Sequence, residues 1–259
     1  MAESIQQQTV LVTGATSGFG EAIAHKFAAA GYHIIATGRR QDRLEALQAT
    51  CKQQYNAKIE ILCFDVRDRE ATLKAIAGIS KPIHILVNNA GLAAGFGSIE
   101  QGEFENWDRM LDTNVKGLLH VSKPVIDNMK AHKVGHIVNI SSIAGKYVYK
   151  NGNVYCASKH AVDALGQSMR IDLLPYGIKV TNVNPGAAET EFSLVRFDGD
   201  ASKAKAIYDG FTPLHAKDIA DAVFYVCTLP AHVCINDLTI TCTTQADSHY
   251  NIKEHDLQR

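Results

Sequence analysis

Short apolar runs alternate with longer amphipathic stretches from residue 9 onward. The runs 9–13 (TVLVT), 32–37 (YHIIAT), 58–64 (KIEILCF), 83–87 (IHILV), 136–140 (HIVNI) and 179–183, with a last stretch near 237–242, have the length and β-branched content of buried strands. Between them 21–30, 42–54, 68–77, 103–132, 152–174 and 216–228 read as helices. Strand and helix in alternation predict an α/β fold, a doubly wound parallel sheet with helices on both faces and right-handed crossovers. Residues 186–212 lack either period and are too long for a plain connection, so they predict an irregular lid over a binding site within a single domain spanning 1–259. The polar tail 247–259 reads as mobile or as docked on another subunit.

The first strand runs straight into Gly14-Ala15-Thr16-Ser17-Gly18-Phe19-Gly20 and then into a helix. Glycines at such a turn let backbone approach a pyrophosphate, while unpaired N–H groups and the helix dipole attract its charge. That makes a single-domain Rossmann reading, with a dinucleotide on Gly14, Ser17, Gly18 and Phe19, preferable to a purely structural turn. After the second strand, Gly38-Arg39-Arg40 stands where an NAD site carries an acidic residue. Two arginines suit a 2′-phosphate and therefore NADP. The alternative is that they merely open the following helix as a solvated face. Polar or glycine punctuation recurs at the ends of later strands: Asp65-Val66, Asn88-Asn89-Ala90-Gly91, Ser141-Ser142 and Asn184-Pro185-Gly186. In open parallel sheets ligands bind beyond these carboxyl ends.

A formal charge of −1 and a pI near 6.8 supply no basic field for nucleic acid or an anionic membrane. No apolar run approaches the roughly 18 residues of a membrane span, and MAESIQQQTV has no leader pattern, so a cytoplasmic protein is expected. The six cysteines form no C-x-x-C pair and read as reduced thiols. His132 and His136 have helical spacing, but Gly135 separates them just before a strand, so no metal site is expected.

Tyr155 and Lys159 lie four residues apart in a helical segment and therefore share a face. A fixed ammonium near a phenol favours the phenolate, which predicts a Tyr155 that titrates well below the roughly 10 of a free tyrosine and exchanges protons near neutrality. Taken alone, such a pair is usually surface decoration. With TGATSGFG at Thr13 to Gly20, NNAG at 88–91, Asn114, ISS at 140–142, YCASK at 155–159 and NPG at 184–186, the chain resembles the short-chain dehydrogenase/reductase family over nearly its whole length. GRR at 38–40, TEFSLVRF at 190–197 and TLPAHVCIN at 228–236 are similar to its NADP-dependent 3-hydroxy acid dehydrogenases, which include serine and L-allo-threonine dehydrogenases.

The resemblance implies catalytic roles for Asn114, Ser142, Tyr155 and Lys159. Ser142 would hold the substrate oxygen, Tyr155 would exchange the proton, Lys159 would hold the nicotinamide ribose and lower the tyrosine pKa, and Asn114 would anchor a water. It also implies cofactor contacts from Gly14, Ser17, Gly18, Phe19, Arg39, Arg40, Asp65, Val66, Asn89, Tyr155, Lys159, Pro185, Gly186 and Thr190, and a homotetramer paired through 103–132 and 152–174. Ala188 replaces a usual valine, and His215 a frequent helix-capping threonine, at an expected cost in local helix stability. A substrate carboxylate needs a cation, and Arg196 is the candidate, the alternative being a surface arginine paired with Glu191 or Asp198. The leading expectation is an NADP-dependent dehydrogenase of short 3-hydroxy acids or 3-hydroxy amino acids, with Ser142, Tyr155 and Arg196 on the substrate. A broad carbonyl reductase and a non-catalytic NADP sensor are the alternatives.

Overall fold

The computed structural model describes residues 8–258; the first seven residues, on which most of the no-leader reading rests, and Arg259 of the tail lie outside the described residues. Seven parallel strands form one sheet in the order β3-β2-β1-β4-β5-β6-β9. They are β1 (Thr9–Val12), β2 (His33–Gly38), β3 (Ile59–Cys63), β4 (Ile85–Asn88), β5 (His136–Ile140), β6 (Lys179–Pro185) and β9 (Asp237–Ile240). The order reverses between β1 and β4, so the carboxyl ends of those strands open a crevice there.

Side chains alternate across the pleat, and the two faces build separate cores. Val10, Val12, Ile34, Ala36 and Val87 pack against α1 (Gly18–Ala29), α2 (Gln41–Tyr55) and α9 (Ala216–Cys227), where Phe27 meets Phe224 with ring centroids 5.2 Å apart. Leu11, Ile35, Leu86 and Ile137 face α3 (Arg69–Ala77), α5 (Leu118–His132) and α6 (Asn153–Leu173) through Ile76, Val121, Val125 and Val162. Both faces being covered is why these strands read as continuous apolar runs.

The region 103–132, expected as one helix, is α4 (Phe104–Leu111), a π-helical turn (Asp112–Gly117) and α5. Gly117 permits that turn to lie on Val66, since a Cβ there would come within 2.7 Å of the Val66 side chain. Phe104, Leu119, Ile171 and Leu174 stay exposed on or just beyond α4 to α6, the helices through which the resemblance implies assembly. α5 stops at Lys133, whose φ of 56° is left-handed. His132 and His136 consequently sit on different elements, bonded to the Asn128 carbonyl at 2.9 Å and the Thr181 hydroxyl at 2.8 Å.

Residues 186–212 are more ordered than their pattern predicts. Here β7 (Ala188–Glu189) pairs with β8 (Leu214–His215), and two short helices follow β7, α7 (Glu191–Arg196) and α8 (Ala201–Ala206). Each carries its own cap, Thr190 accepting from the Phe192 N–H and Asp200 from the Ser202 and Lys203 N–H groups. Helices of six residues are too short to show a period. At α9 the Asp218 carboxylate accepts from the His215 N–H at 2.8 Å, so the start of that helix retains part of its cap without a threonine. The tail 247–259 packs on its own chain at Glu254, which accepts from the Thr212 N–H and hydroxyl, and just before the tail Gln245 Oε1 accepts from the Ala187 N–H at 2.8 Å.

Candidate active site

The turn after β1 fits only glycine at two points. Gly14 has φ +66°, and a Cβ on it would lie 3.0 Å from Ala90 Cα; one on Gly20 would lie 2.4 Å from Asn89 Nδ2. Asn89 ties this turn to the end of β4, donating to the Thr13 and Gly14 carbonyls at 2.9 and 3.2 Å. α1 begins at Gly18, and the Ser17 side chain caps none of its first N–H groups. With Ser17, Gly18 and Phe19 lining the cavity, this uncapped helix start is what an anion site requires.

The two arginines divide their work. Arg40 is spent inside the protein: Nε donates to Thr16 Oγ1 at 3.3 Å, Nη2 to Ser17 Oγ at 2.8 Å and Nη1 to Glu191 at 3.1 Å. Arg39 has a side chain 58% exposed, and its one ion pair among the described residues is with Asp65, at 3.7 Å. Asp65 in turn is gripped by Arg67 at 2.7 Å; burial alone would raise its pKa, and the Arg67 hydrogen bonds and charge turn the net shift downward. Arg39 is therefore open to a ligand, and Arg40 ties the turn to α7 through Glu191.

At the other end, β5 delivers two serines in opposite directions. Ser141 is buried and donates to the Lys159 carbonyl at 3.2 Å, whereas Ser142 faces the cavity, donating to the Pro185 carbonyl at 3.4 Å. One turn apart on α6, Tyr155 and Lys159 are 8% and 5% exposed. Lys159 Nζ donates to the Ile140 carbonyl at 2.9 Å and stands 5.9 Å from the Tyr155 ring centroid. Asn114, in the π-helical turn, bonds both backbone groups of Leu92 at 2.8 Å and donates to Ser158 at 2.9 Å. It lies behind the cavity wall and ties the first half of α6 to the segment after β4.

The surroundings of Tyr155 correct the expectation of an acidic phenol. Burial pushes the phenol well above the ordinary tyrosine value, the neighbouring Tyr149 adds to that, and Arg196 with the Ser142 hydrogen bond only partly offsets it. Burial also pulls Lys159 down to about 8. Without ligand, desolvation outweighs the charge–charge pairing that the i,i+4 spacing suggested.

Arg39, Asp65, Gly14, Ser142, Tyr155 and Lys159 line one cavity of about 470 Å³. Every residue expected to meet the cofactor lines it, as do Ser142 and Arg196. Arg196 does not pair with Glu191, which salt-bridges Arg40 at 3.1 Å and Arg43 at 3.8 Å. Its guanidinium lies 4.9 Å from the Tyr155 ring centroid, ringed by Phe96, Tyr149 and Phe192, and Nη2 donates to the Tyr149 hydroxyl. Its Nε is buried without a partner among the described residues. Phe192, within the TEFSLVRF motif, also lines the cavity, as do Tyr149, Gln245 and Ser248, which carry no sequence signal by which they could have been singled out.

A family model described as short chain dehydrogenase matches residues 8–199. The chain is a short-chain dehydrogenase. A sulfoacetaldehyde reductase of Chromohalobacter salexigens is 43% identical over 247 residues, 94% of this short-chain dehydrogenase and 97% of the relative. An NADP-dependent 3-hydroxy acid dehydrogenase of Escherichia coli strain K12 is also 43% identical, over 94% and 98% of the two chains. The closed form of a serine dehydrogenase complexed with NADP⁺ has a TM-score of 0.89 at 42% identity, covering 95% of the dehydrogenase described here and all of the solved chain. Among the described residues no helix is long and apolar enough to cross a membrane.

Proposed function

We propose that this dehydrogenase moves a hydride between NADP and the hydroxyl-bearing carbon of a short 3-hydroxy acid or 3-hydroxy amino acid, of the 3-hydroxypropionate, serine or L-allo-threonine type. The observation that carries the reading is Arg196, a cation with an unpartnered Nε in the same cavity as Tyr155. A small substrate can put its alcohol on Ser142 and Tyr155 and its acid group on Arg196 at once. The residues fit the cofactor: the glycine turn, the unspent N–H groups of α1 and the open Arg39 form a cradle for a dinucleotide carrying a 2′-phosphate. NADP supplies the hydride chemistry when bound. Ser142 orients the substrate oxygen, and the Tyr155 hydroxyl takes or returns its proton. Lys159, next to that phenol, biases its ionisation by charge. The 190–197 segment shields the reacting atoms from water, and Arg40 and Arg43 hold its Glu191.

Sulfoacetaldehyde and its alcohol present the same pairing of an anion with a reacting carbon, and the 43% identity to a reductase of that compound favours them as a second reading. Neutral carbonyl compounds would leave Arg196 unused, and a cofactor sensor would have no use for the proton-transfer pair.

Arg196→Ala is expected to lower kcat/KM for acid substrates about 100-fold, the consequence of losing a charge-assisted contact in a shielded site. A neutral secondary alcohol should change less than about threefold. Steady-state rates on L-serine, 3-hydroxypropionate, 2-hydroxyethanesulfonate and the neutral alcohol decide it, and equal losses on all would end the reading. Arg39→Ser is expected to weaken NADPH about 50-fold with little effect on NADH, a loss sized by one charge-assisted phosphate contact. Arg40→Ser should weaken both, since Arg40 supports Thr16 and Ser17; fluorescence titration of the two nucleotides separates these outcomes.

A further inference from the structure

The tail folds into a tight hairpin after β9. Gln245 and Asn251 form an antiparallel bridge, the Ala246 N–H donates to the Tyr250 carbonyl at 3.0 Å and the Ile252 N–H to the Thr244 carbonyl at 2.9 Å. At its tip the Asp247 carboxylate accepts from the His249 and Tyr250 N–H groups at 2.6 and 2.7 Å, which fixes the turn around Ser248. The base of the hairpin is fastened to the wall of the site by Gln245, which receives the Ala187 N–H. Its far end is fastened to the loop after α8, where Glu254 also donates its N–H to the Gly210 carbonyl at 2.8 Å. The tip is thus held at both sides rather than hanging in solvent.

Ser248 lines the catalytic cavity, and its Oγ is buried without a partner among the described residues. Buried hydroxyls without a partner are rare, because the lost hydration is not replaced. Among the described residues three cavity-lining side chains carry such an atom: Thr113 Oγ1, Arg196 Nε and Ser248 Oγ. Thr113 belongs to the π-helical turn beside Asn114. The other two belong to the lid helix α7 and to the hairpin, which is bonded on either side of that helix, at Ala187 and at Gly210 to Thr212. Both are able to donate a hydrogen bond, and no carboxylate of α7 or the hairpin tip answers them: Glu191 is held by Arg40 and Arg43, and Asp247 by its own turn.

We propose that Ser248 is a substrate-specificity residue, its hydroxyl donating to the acid group of the substrate on the side opposite Arg196, so that the C-terminal hairpin is the last wall of the active site. This rests on the acid-substrate reading above. An acid group has oxygens to spare for both donors, and a neutral alcohol of the same length has none. The hairpin is therefore a device for choosing acids, contributed by a segment outside the lid itself.

The test is Ser248→Ala beside Ser248→Thr in the full chain, with 3-hydroxypropionate or 2-hydroxyethanesulfonate and a neutral secondary alcohol as substrates, and NADPH affinity followed by fluorescence. Ser248→Ala is expected to raise KM for the acid about tenfold, the effect of one hydrogen bond to a charged group. NADPH affinity and the neutral alcohol should change less than about twofold, and Ser248→Thr, which keeps a hydroxyl, should recover most of the loss. An unchanged KM for the acid, an equal loss on the neutral alcohol, or a matching loss of NADPH affinity overturns the role of Ser248. If the unaltered enzyme shows no preference for the acid over the alcohol, the acid-substrate reading falls and takes this one with it; if that preference is present and survives Ser248→Ala, only the hairpin proposal falls.

Discussion

Tyr155→Phe is expected to cut turnover about a thousandfold while leaving NADPH affinity and the melting temperature nearly unchanged. The ring that remains keeps the contacts of the original, with Phe192 5.5 Å from its centroid and the Arg196 guanidinium at 4.9 Å. Only the hydroxyl goes, and with it the proton exchange, which general acid–base catalysis values at about 10²–10⁴ in rate. The direction of reaction sets the pH dependence of the unaltered enzyme. Burial holds Tyr155 as the neutral phenol well past the ordinary tyrosine value. Reduction draws on the phenol, so its rate should stay level across the neutral range. Oxidation draws on the phenolate, so its rate should climb as pH rises. In the Phe variant both residual rates should lose this difference. Single-turnover rates in each direction between pH 6 and 9.5, by NADPH absorbance, measure it, and a variant retaining a tenth of the normal rate would remove Tyr155 from the reaction.

The sequence carried the sheet and the turn because both repeat a local rule. Continuous apolar runs along β1 to β6 report two covered faces, Gly14 is fixed by the close approach of the Ala90 backbone, and Gly20 by that of the Asn89 side chain and the Gly14 carbonyl. What it could not carry are consequences of where distant segments meet. Arg39 and Arg40 are identical neighbours in the chain, and the meeting of Arg40 with Thr16, Ser17 and Glu191, the last 151 positions later, makes it structural and leaves Arg39 open. Arg196 stood between two readings, a surface pair with Glu191 or Asp198 or a cavity cation, and it is found in the cavity wall with Glu191 held by Arg40 and Arg43. The hairpin tip at Ser248 gave no signal, since a serine in a polar tail has no distinguishing pattern. α7 and α8 were within reach: Thr190 and Asp200 are good capping residues, and caps remain informative where a helix is too short for a period.

The pairing of Tyr155 with Lys159 is where local spacing misled, and that has a measurable consequence for stability. Lys159 was expected to act as a permanent cation, yet it lies 5% exposed, with the Ile140 carbonyl 2.9 Å from Nζ and its pKa pulled down by burial to about 8. A lysine whose folded pKa is below its unfolded value penalises the folded state while it must be charged, that is, below the folded pKa. The penalty is complete under pH 8, fades between about 8 and 10.5, and is absent above that window. Its size follows from the displacement, roughly 3 kcal/mol, less about 1 for the hydrogen bond to Ile140 that a replacement forfeits. Lys159→Met keeps the length and apolar stem of the side chain and removes the charge. It should therefore melt about 5 °C higher than the unaltered enzyme at pH 7, with the gap narrowing as pH rises past 8. Turnover should fall about a hundredfold or more, because the phenol loses the charge beside it. Melting curves of the ligand-free proteins at pH 7, 8, 9 and 9.5 give the gap directly. A variant less stable at pH 7, or a gap that does not depend on pH, would mean that Lys159 holds the fold together, and that its burial is not a cost accepted for catalysis.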